Sequence, residues 1–184
     1  MMSDRILETP RLLLRTSNED MTAATLDFYR RNAEEFEHIE PISHPDFYTE
    51  DFHRRLLRTE RELIQKRSMF RVWIFLRSFP SIPIGTVSVH NIRYGDFSDG
   101  EIGYKIDPAF RRQGFAREAI SEVMELMTSP EYGLHRIDAM VLPSNEPSIR
   151  LLESLGFVRE GLLRHNVRIH GEWKSHYLYS YLNE

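Results

Sequence analysis

The hydrophobic period of the chain changes abruptly around Gly114, and this change limits the folds that the sequence can adopt. Residues 101–106 alternate apolar with polar or small side chains, which is typical of a strand with one buried face. After Pro108, the apolar side chains within residues 116–127 recur at helical spacing on one face. The sequence therefore predicts a strand, a glycine turn and a helix in direct succession.

Similar patterns predict further elements on both sides of this unit. Strands are expected at 11–15, 69–76, 84–92, 134–142, 157–168 and 173–182. Three more helices are expected, with capping residues at Ser17 or Asn18, at Thr49, and at Ser144 or Asn145. Prolines predict a turn at 78–83 and irregular backbone at 41–45. This order predicts an α/β (α+β) fold with a mixed, mostly antiparallel central sheet flanked by helices.

Length and composition narrow the class of protein. A chain of 184 residues without a Gly/Ser linker is expected to form a single domain over 1–184. No apolar run is long enough to cross a bilayer, and the N-terminus lacks the pattern of a signal peptide. We therefore expect a cytoplasmic protein that does not bind membranes. The net charge of -4 argues against a nucleic-acid partner.

Several kinds of chemistry are excluded or disfavoured by the residues present. The chain has no cysteine, which excludes disulfides, thiolate metal sites and an acyl-cysteine intermediate. It has no Gly-x-Ser-x-Gly elbow of the serine hydrolases. Three histidines near the C-terminus do not have the spacing of zinc motifs, so no metal site is expected; they are His165, His170 and His176.

The turn before the predicted helix is the most informative segment of the sequence. The first turn of a helix has unpaired backbone N–H groups and a partial positive charge. Gly114 has no side chain, so a ligand can approach this backbone closely, and Arg111 and Arg112 add positive charge at the rim. Such a turn can bind a pyrophosphate. It lacks the Gly-Lys-Ser/Thr ending of a nucleoside-triphosphate loop and two of the three glycines of a dinucleotide fingerprint.

These motifs resemble those of the GNAT superfamily of N-acetyltransferases, and within it the RimJ/RimL-like branch that acetylates ribosomal-protein N-termini. Arg111, Gly114 and Ala116 fit the Arg/Gln-x-x-Gly-x-Gly/Ala pattern of that superfamily. Further matches, in the family's order, are ETPRLLLR at 8–15, GEIGYKIDP at 100–108, NEPS at 145–148, LGF at 155–157 and EG at 160–161. Arg112 departs from the pattern, because many members have glycine or asparagine there.

The resemblance implies acetyl-coenzyme A as the cosubstrate and direct transfer of its acetyl group to a primary amine. Pantetheine is expected along the strand that ends near Ile106, and the pyrophosphate on the backbone amides of residues 112–116. The cofactor-binding residues that this implies are Ile106, Arg111, Arg112, Gln113, Gly114, Phe115, Ala116 and Asn145. Asn145 is equally well suited to cap the following helix.

The attacking amine must be neutral, and a base acting through water suits this need. Glu101 is the first candidate for the base, because the resemblance places a base at that position and the strand pattern points it away from the core. A solvent-facing strand residue has the same pattern. His90, on the neighbouring strand, is the second candidate. The leaving thiolate needs only a hydrogen-bond donor near the sulfur, and the family motif places Ser148 there.

The acceptor and the assembly stay open at the level of sequence. A protein N-terminal α-amine is the acceptor that the resemblance implies, with a polyamine, an amino acid or an antibiotic as alternatives. The early helices and the last hairpin are expected to form the acceptor pocket. A sensor that binds acyl-coenzyme A without turnover is a second alternative. Exposed strands in the family support dimers, so a homodimer is one expected assembly.

Overall fold

The computed structural model describes residues 5–37 and 44–184, and within them eight strands form one sheet. The strands are β1 (Ile6–Glu8), β2 (Leu12–Thr16), β3 (Phe70–Leu76), β4 (Phe79–Arg93), β5 (Asp99–Ile106), β6 (Arg136–Val141), β7 (Val158–Ile169) and β8 (Glu172–Leu182). Their order in the sheet is β1-β2-β3-β4-β5-β6-β8-β7. Neighbouring strands run antiparallel except β5 and β6, which are parallel. The predicted mixed, mostly antiparallel sheet is confirmed.

The helices begin and end where local side-chain chemistry allows. They are α1 (Thr22–Arg31), α2 (Ala33–Glu37), α3 (Glu50–Gln65), α4 (Phe115–Thr128) and α5 (Glu146–Ser154). Thr49 caps α3, and its Oγ1 accepts a hydrogen bond from the Phe52 amide at 3.3 Å. Asn145 caps α5 in the same way. Gly156 adopts a φ of +89° after α5, a conformation that glycine tolerates, and the chain turns into β7.

Alternation along the strands divides the core into two layers. Leu12, Leu14, Val72 and Ile74 belong to the large cluster that also contains buried residues of α4 and α5. The intervening side chains of β3, Trp73 and Phe75, point to the other face and pack with aromatic residues of α1 and α2. The sheet is therefore covered by α4 and α5 on one face and by α1, α2 and α3 on the other.

The structure corrects the predicted turn at 78–83. Strand β4 begins at Phe79, so this segment is the first third of a long strand. Pro83 lies opposite Phe75, where the ladder between β3 and β4 shifts its register. An irregular ladder tolerates proline, which has no N–H to donate. Strand β1 and helix α2 were not predicted, and most of the irregular segment predicted at 41–45 lies outside the described residues.

Helix α3 buries two polar side chains that its sequence pattern did not predict. His53 and Glu60 lie on its inner face beside Leu57 and Ile64. Glu60 accepts a hydrogen bond from Ser17 Oγ at 2.6 Å and pairs with Arg71 at 2.8 Å. These partners compensate the cost of burying a carboxylate. No helix within the described residues is long and apolar enough to span a membrane.

Candidate active site

The site begins where strands β5 and β6 separate. The two strands pair from Asp99 to Glu101 and from Arg136 to Asp138, and the pairing ends there. Beyond Glu101, β5 keeps its partner β4 on one side. On the other side, a cavity of about 160 Å³ lies between β5 and β6. Its lining includes Gly103, Tyr104, Met140, Asn145, Ser148 and His176. We call this opening the fork.

The predicted glycine turn lies at the end of β5, directly after the fork. Asp107 Oδ1 accepts a hydrogen bond from the Ala109 amide at 3.0 Å and begins a single 3-10 turn. The chain then reaches Gly114, which has φ +82° and ψ 0° and precedes the first residue of α4. Gly114 has no side chain to cap this helix, so the first backbone N–H groups of α4 keep their hydrogen-bonding capacity. This arrangement suits an anion.

The two arginines of the turn have different surroundings. The Arg111 guanidinium pairs with Glu35 of α2 at 2.5 Å, and its Nε donates to the Ile106 carbonyl at 3.3 Å. Its charge is therefore partly neutralised, and the side chain links the turn to the opposite helical layer. Arg112 is exposed and has a φ of +60°. Of the two predicted rim charges, Arg111 thus stabilises the turn, while Arg112 faces solvent.

Three residues that sequence reasoning missed hold the turn in place through hydrogen bonds. We use the term Arg11 clamp for Thr9, Arg11 and Glu118. Arg11 Nε donates to Glu118 Oε2 at 2.7 Å, and Arg11 Nη1 donates to the Gln113 carbonyl at 2.8 Å. Thr9 Oγ1 donates to Glu118 Oε1 at 2.6 Å. Burial alone would raise the pKa of Glu118, but these hydrogen bonds hold it below its ordinary value.

The Arg11 clamp also contacts the first residue of α4. The Arg11 guanidinium lies 4.5 Å from the centre of the Phe115 ring, a cation–π arrangement. The segment ETPRLLLR therefore contacts the glycine turn directly, although the segment and the turn lie about a hundred positions apart in sequence. Arg11 and Glu118 carry opposite charges on separate elements, but no short-range pattern in the sequence could have paired them.

The two candidate bases lie side by side. His90 and Glu101 face each other across the ladder of β4 and β5, and His90 Nε2 is 3.2 Å from Glu101 Oε1. Both side chains are half-buried. Gly103, on the same face of β5, lines the fork, and a Cβ at this position would lie 3.9 Å from His90 Cε1. The carboxylate and the imidazole therefore place two groups that can act as a base within 3.2 Å of each other.

Two further titratable groups lie near Glu101. Asp138 is directly opposite Glu101 at the last paired position of β5 and β6. Burial raises the pKa of Asp138 against the opposing effect of Arg136, and the charges of Asp99 and Glu101 add to the rise. His176 lines the fork, and its Nδ1 is 2.9 Å from Asn166 Oδ1. Burial lowers the pKa of His176, while the Glu101 carboxylate opposes part of the shift.

On the far wall of the fork, the first turn of α5 presents Asn145 and Ser148. Asn145 Oδ1 accepts a hydrogen bond from the Ser148 amide at 3.3 Å, so the capping role considered for Asn145 is observed. The Ser148 hydroxyl is 2.6 Å from the hydroxyl of Tyr104 on β5. The alternation of β5 predicted Tyr104 as a core residue. Its ring packs against the core, but its hydroxyl reaches the fork.

The early helices and the last hairpin meet at one edge of this region. His170, in the turn between β7 and β8, is hydrogen-bonded through its Nε2 to the carbonyl of Glu37 at the end of α2. The adjoining residues 38–43 lie outside the described part of the chain. They lie within residues 28–52, which are rich in Phe, Tyr, Glu and His, a composition that suits a cationic acceptor and equally suits a cover for the core.

Comparisons with known proteins identify the family. Residues 11–158 match the model of the acetyltransferase (GNAT) domain. The chain belongs to the GNAT family of acetyltransferases. The resemblance drawn from the sequence motifs is confirmed, including its RimJ/RimL-like branch and its class, an N-acetyltransferase.

Three similar proteins show the extent of the likeness. A probable N-acetyltransferase of Bacillus subtilis, YjcK, is 35% identical over 158 residues, which cover 86% of each chain. A solved ribosomal-protein-S5-alanine acetyltransferase of Vibrio fischeri is 29% identical, covers 98% of each chain and has a TM-score of 0.92. The Mycobacterium smegmatis RimJ structure with coenzyme A disulfide is 24% identical, covers 93% of this chain and 81% of its own, and has a TM-score of 0.86. At that identity the last likeness concerns the fold.

Proposed function

We propose that this GNAT protein transfers the acetyl group of acetyl-coenzyme A to a primary amine, and that its acceptor is the α-amine of a protein N-terminus. The observation that supports the coenzyme most directly is the continuity of the fork with the uncapped glycine turn. A pantetheine chain fits the unpaired edge of β5 that ends at Ile106, and a pyrophosphate fits the backbone amides that follow. The RimJ structure with a coenzyme A disulfide has the same fold.

In this proposal, the residues of the turn bind the coenzyme. The backbone amides of Arg112, Gln113, Gly114, Phe115 and Ala116 would donate to the pyrophosphate. The exposed Arg112 would add charge, and Arg111 would keep the turn in place through Glu35 and Ile106. Asn145 would shape the entry to the fork while it caps α5.

The catalytic roles are assigned to Glu101, where β5 and β6 separate, and to Ser148, on the wall of the fork formed by α5. Glu101 would accept the proton that the amine loses, directly or through one water, and His90 would hold its carboxylate by the contact at 3.2 Å. The amine nitrogen then attacks the thioester carbonyl, and the C–S bond breaks with its electron pair on sulfur. Thiols have a pKa of about 8.5, so the leaving thiolate needs a hydrogen bond rather than a strong acid, and Ser148 would donate it.

An α-amine is favoured as acceptor for two reasons. Its pKa of about 8 leaves a useful neutral fraction near pH 7, whereas a lysine side chain at about 10.4 is almost fully charged. A half-buried carboxylate with a histidine partner suits this modest demand on the base. The similar V. fischeri enzyme is described as an S5-alanine acetyltransferase, which also supports a protein N-terminus.

The test is release of free thiol from acetyl-coenzyme A with a panel of acceptors. The panel pairs a peptide that has a free N-terminal alanine with the same peptide blocked at that amine but carrying one lysine, beside polyamines, amino acids and aminoglycosides. We expect turnover with the free N-terminus and none with the blocked peptide. Turnover with only a small amine would overturn the acceptor, and binding of coenzyme A without any turnover would favour the sensor.

A variant ties the measured turnover to this site. Glu101→Gln removes the base but keeps the shape of the side chain. We expect its turnover to fall most at low pH, where more of the amine is protonated, while its affinity for coenzyme A stays at the wild-type value. A variant as fast as the wild type across the pH range would remove Glu101 from the mechanism.

A further inference from the structure

Two hydroxyl groups meet across the fork, one from each wall. Tyr104 comes from β5 and Ser148 from α5, and their oxygens are 2.6 Å apart. Both side chains are half-buried, and both line the fork. The family motif pointed to Ser148 alone, whereas the contact with Tyr104 is a finding of the structure.

Each hydroxyl is held in place by its own element. The amide of Ser148 donates to Asn145 Oδ1 at 3.3 Å, which fixes the first turn of α5. The ring of Tyr104 packs against the core below the sheet. Burial raises the pKa of Tyr104 to about 12, so this hydroxyl keeps its proton throughout the neutral range. The pair is therefore a fixed contact between two neutral hydroxyls.

The protons of the pair can be counted. Each hydroxyl carries one proton and has lone pairs to accept, and the contact between them uses one proton. A phenol is a much stronger acid than an aliphatic alcohol, so Tyr104 is the better donor of the two. With Tyr104 donating to Ser148 Oγ, the proton of Ser148 is free to point into the fork. Hydrogen bonds in such a chain strengthen one another.

We propose that Tyr104 is a positioning residue that donates to Ser148 Oγ and thereby directs the Ser148 proton to the sulfur of the leaving thiolate. The inference rests on the proposed function, because it supposes that the sulfur of coenzyme A lies in the fork. No proton needs to leave either hydroxyl. The amine proton passes to Glu101 and then to water, the C–S electron pair stays on sulfur, and the thiolate is held by the hydrogen bond from Ser148.

The direct test measures the bound thiol itself and needs no acceptor amine. Coenzyme A is titrated on the enzyme, and the thiolate is followed by its ultraviolet absorbance. Because a donor stabilises the thiolate, the bound thiol of the wild type should have the lowest pKa. Tyr104→Phe and Ser148→Ala should each raise it, on the order of one unit, which corresponds to one hydrogen bond to a charged group.

The double variant distinguishes a joint action from two separate ones. If Tyr104 acts through Ser148, Tyr104→Phe should add no further shift in the Ser148→Ala background. Additive shifts, or a Tyr104→Phe enzyme whose bound thiol titrates as in the wild type, would overturn the proposal. Tyr179→Phe is the matched control, because the Tyr179 hydroxyl also bonds to α5, at Glu153 and 3.0 Å, but away from the fork. It should leave the titration unchanged.

Turnover adds a second readout. Tyr104→Phe should lower kcat about tenfold and leave the KM for acetyl-coenzyme A unchanged, since the hydrogen bond matters most when charge develops on sulfur. The loss should vanish in the Ser148→Ala background, and a loss that persists there would contradict the proposal. If no amine in the panel is acetylated while the titration still shows the coupled shifts, the failure belongs to the proposed acceptor and not to Tyr104.

Discussion

At the level of single residues, the most demanding position is Gly114, because its backbone and its lack of a side chain both matter. Its φ of +82° disfavours every other residue type, and a Cβ there would lie 3.1 Å from Arg11 Nη2. That neighbour is the end of a flexible side chain and can move. A substitution at Gly114 therefore has two costs. It lowers stability through the left-handed backbone, and it obstructs a ligand that must approach that backbone.

We predict that Gly114→Glu separates these two costs when it is compared with Gly133→Glu. Gly133 has a similar φ of +66° and is exposed, and a Cβ added there would meet no atom of the described residues within 4 Å. Both variants should lose about 1–2 kcal/mol of unfolding free energy, the cost of a left-handed residue. Only Gly114→Glu should lose binding of coenzyme A, measured by calorimetry. Equal affinity in both variants would remove the turn from the coenzyme site.

The catalytic candidates show how far single residues can be predicted from sequence. Glu101, Ser148 and Asn145 were predicted as site residues because each sits in a motif with a fixed place on a strand or helix, and their roles stay predictions. Tyr104 was assigned to the core, because alternation places a side chain on a face but does not say where the end of a long ring reaches. The contact between His90 and Glu101 depends on the register of β4 and β5, which no local pattern fixes.

At the level of elements, the turn and α4 depend on a partner from the start of the chain. Arg11 precedes β2, yet it bonds to Glu118 of α4 and to the Gln113 carbonyl of the turn. Strand β2 packs near α4, and the contacts of Arg11 connect the start of this strand to α4 and to the glycine turn. A preorganised turn loses less freedom when a ligand binds, and the Arg11 clamp supplies that order.

We predict that Arg11→Ala weakens coenzyme A binding about fivefold, which corresponds to about 1 kcal/mol of lost preorganisation. The matched control is Arg5→Ala, because Arg5 also makes a surface ion pair, with Glu131 at 2.5 Å, but does not touch the turn. Both variants should unfold within about 1 kcal/mol of the wild type. Coenzyme affinity that falls equally in both, or in neither, would show that the clamp does not order the turn.

Elements were predicted best where one periodic pattern met one capping signal. Helices α3, α4 and α5 began where Thr49, Gly114 and Asn145 indicated. Strand β4 was predicted too short, because its prolines were taken to end it and a register shift accommodates Pro83 instead. The predicted inner face of α3 did not include Glu60. A buried carboxylate is tolerated only beside partners such as Ser17 and Arg71, which are distant in sequence.

At the level of the whole molecule, the helical layer formed by α1, α2 and α3 contains a group that lowers the stability of the protein in acid. His53 is fully buried in it, lies 3.4 Å from Thr25 Oγ1 through its Nδ1, and has no hydrogen-bond partner for its Nε2 among the described residues. The same layer carries Glu35, which holds Arg111 of the turn, and Glu37, which meets the hairpin at His170. A protonation that destabilises this layer therefore affects its contacts with the glycine turn and with the last hairpin.

Burial lowers the pKa of His53 from 6.5 to about 4, opposed by the backbone of Phe47 and assisted by a smaller effect from the charge of Arg30. Between these values the unfolded chain binds a proton that the native protein does not, so the stability rises with pH across this window and falls as the pH drops. From about pH 7 to about pH 5, His53 alone should remove about 2 kcal/mol of unfolding free energy. Urea unfolding of the wild type at the two pH values measures the total loss.

The contribution of His53 is isolated by comparing variants at both pH values, since other groups also titrate in this range. His53→Leu removes the proton site and fills the apolar surroundings, so its stability should fall less on acidification than that of the wild type, by about 2 kcal/mol. His135→Gln, which changes an exposed histidine, should follow the wild type. A parallel fall in all three proteins would place the acid sensitivity elsewhere. A smaller loss of unfolding free energy in His53→Leu alone would show that the buried imidazole of His53 causes the acid sensitivity of the layer formed by α1, α2 and α3.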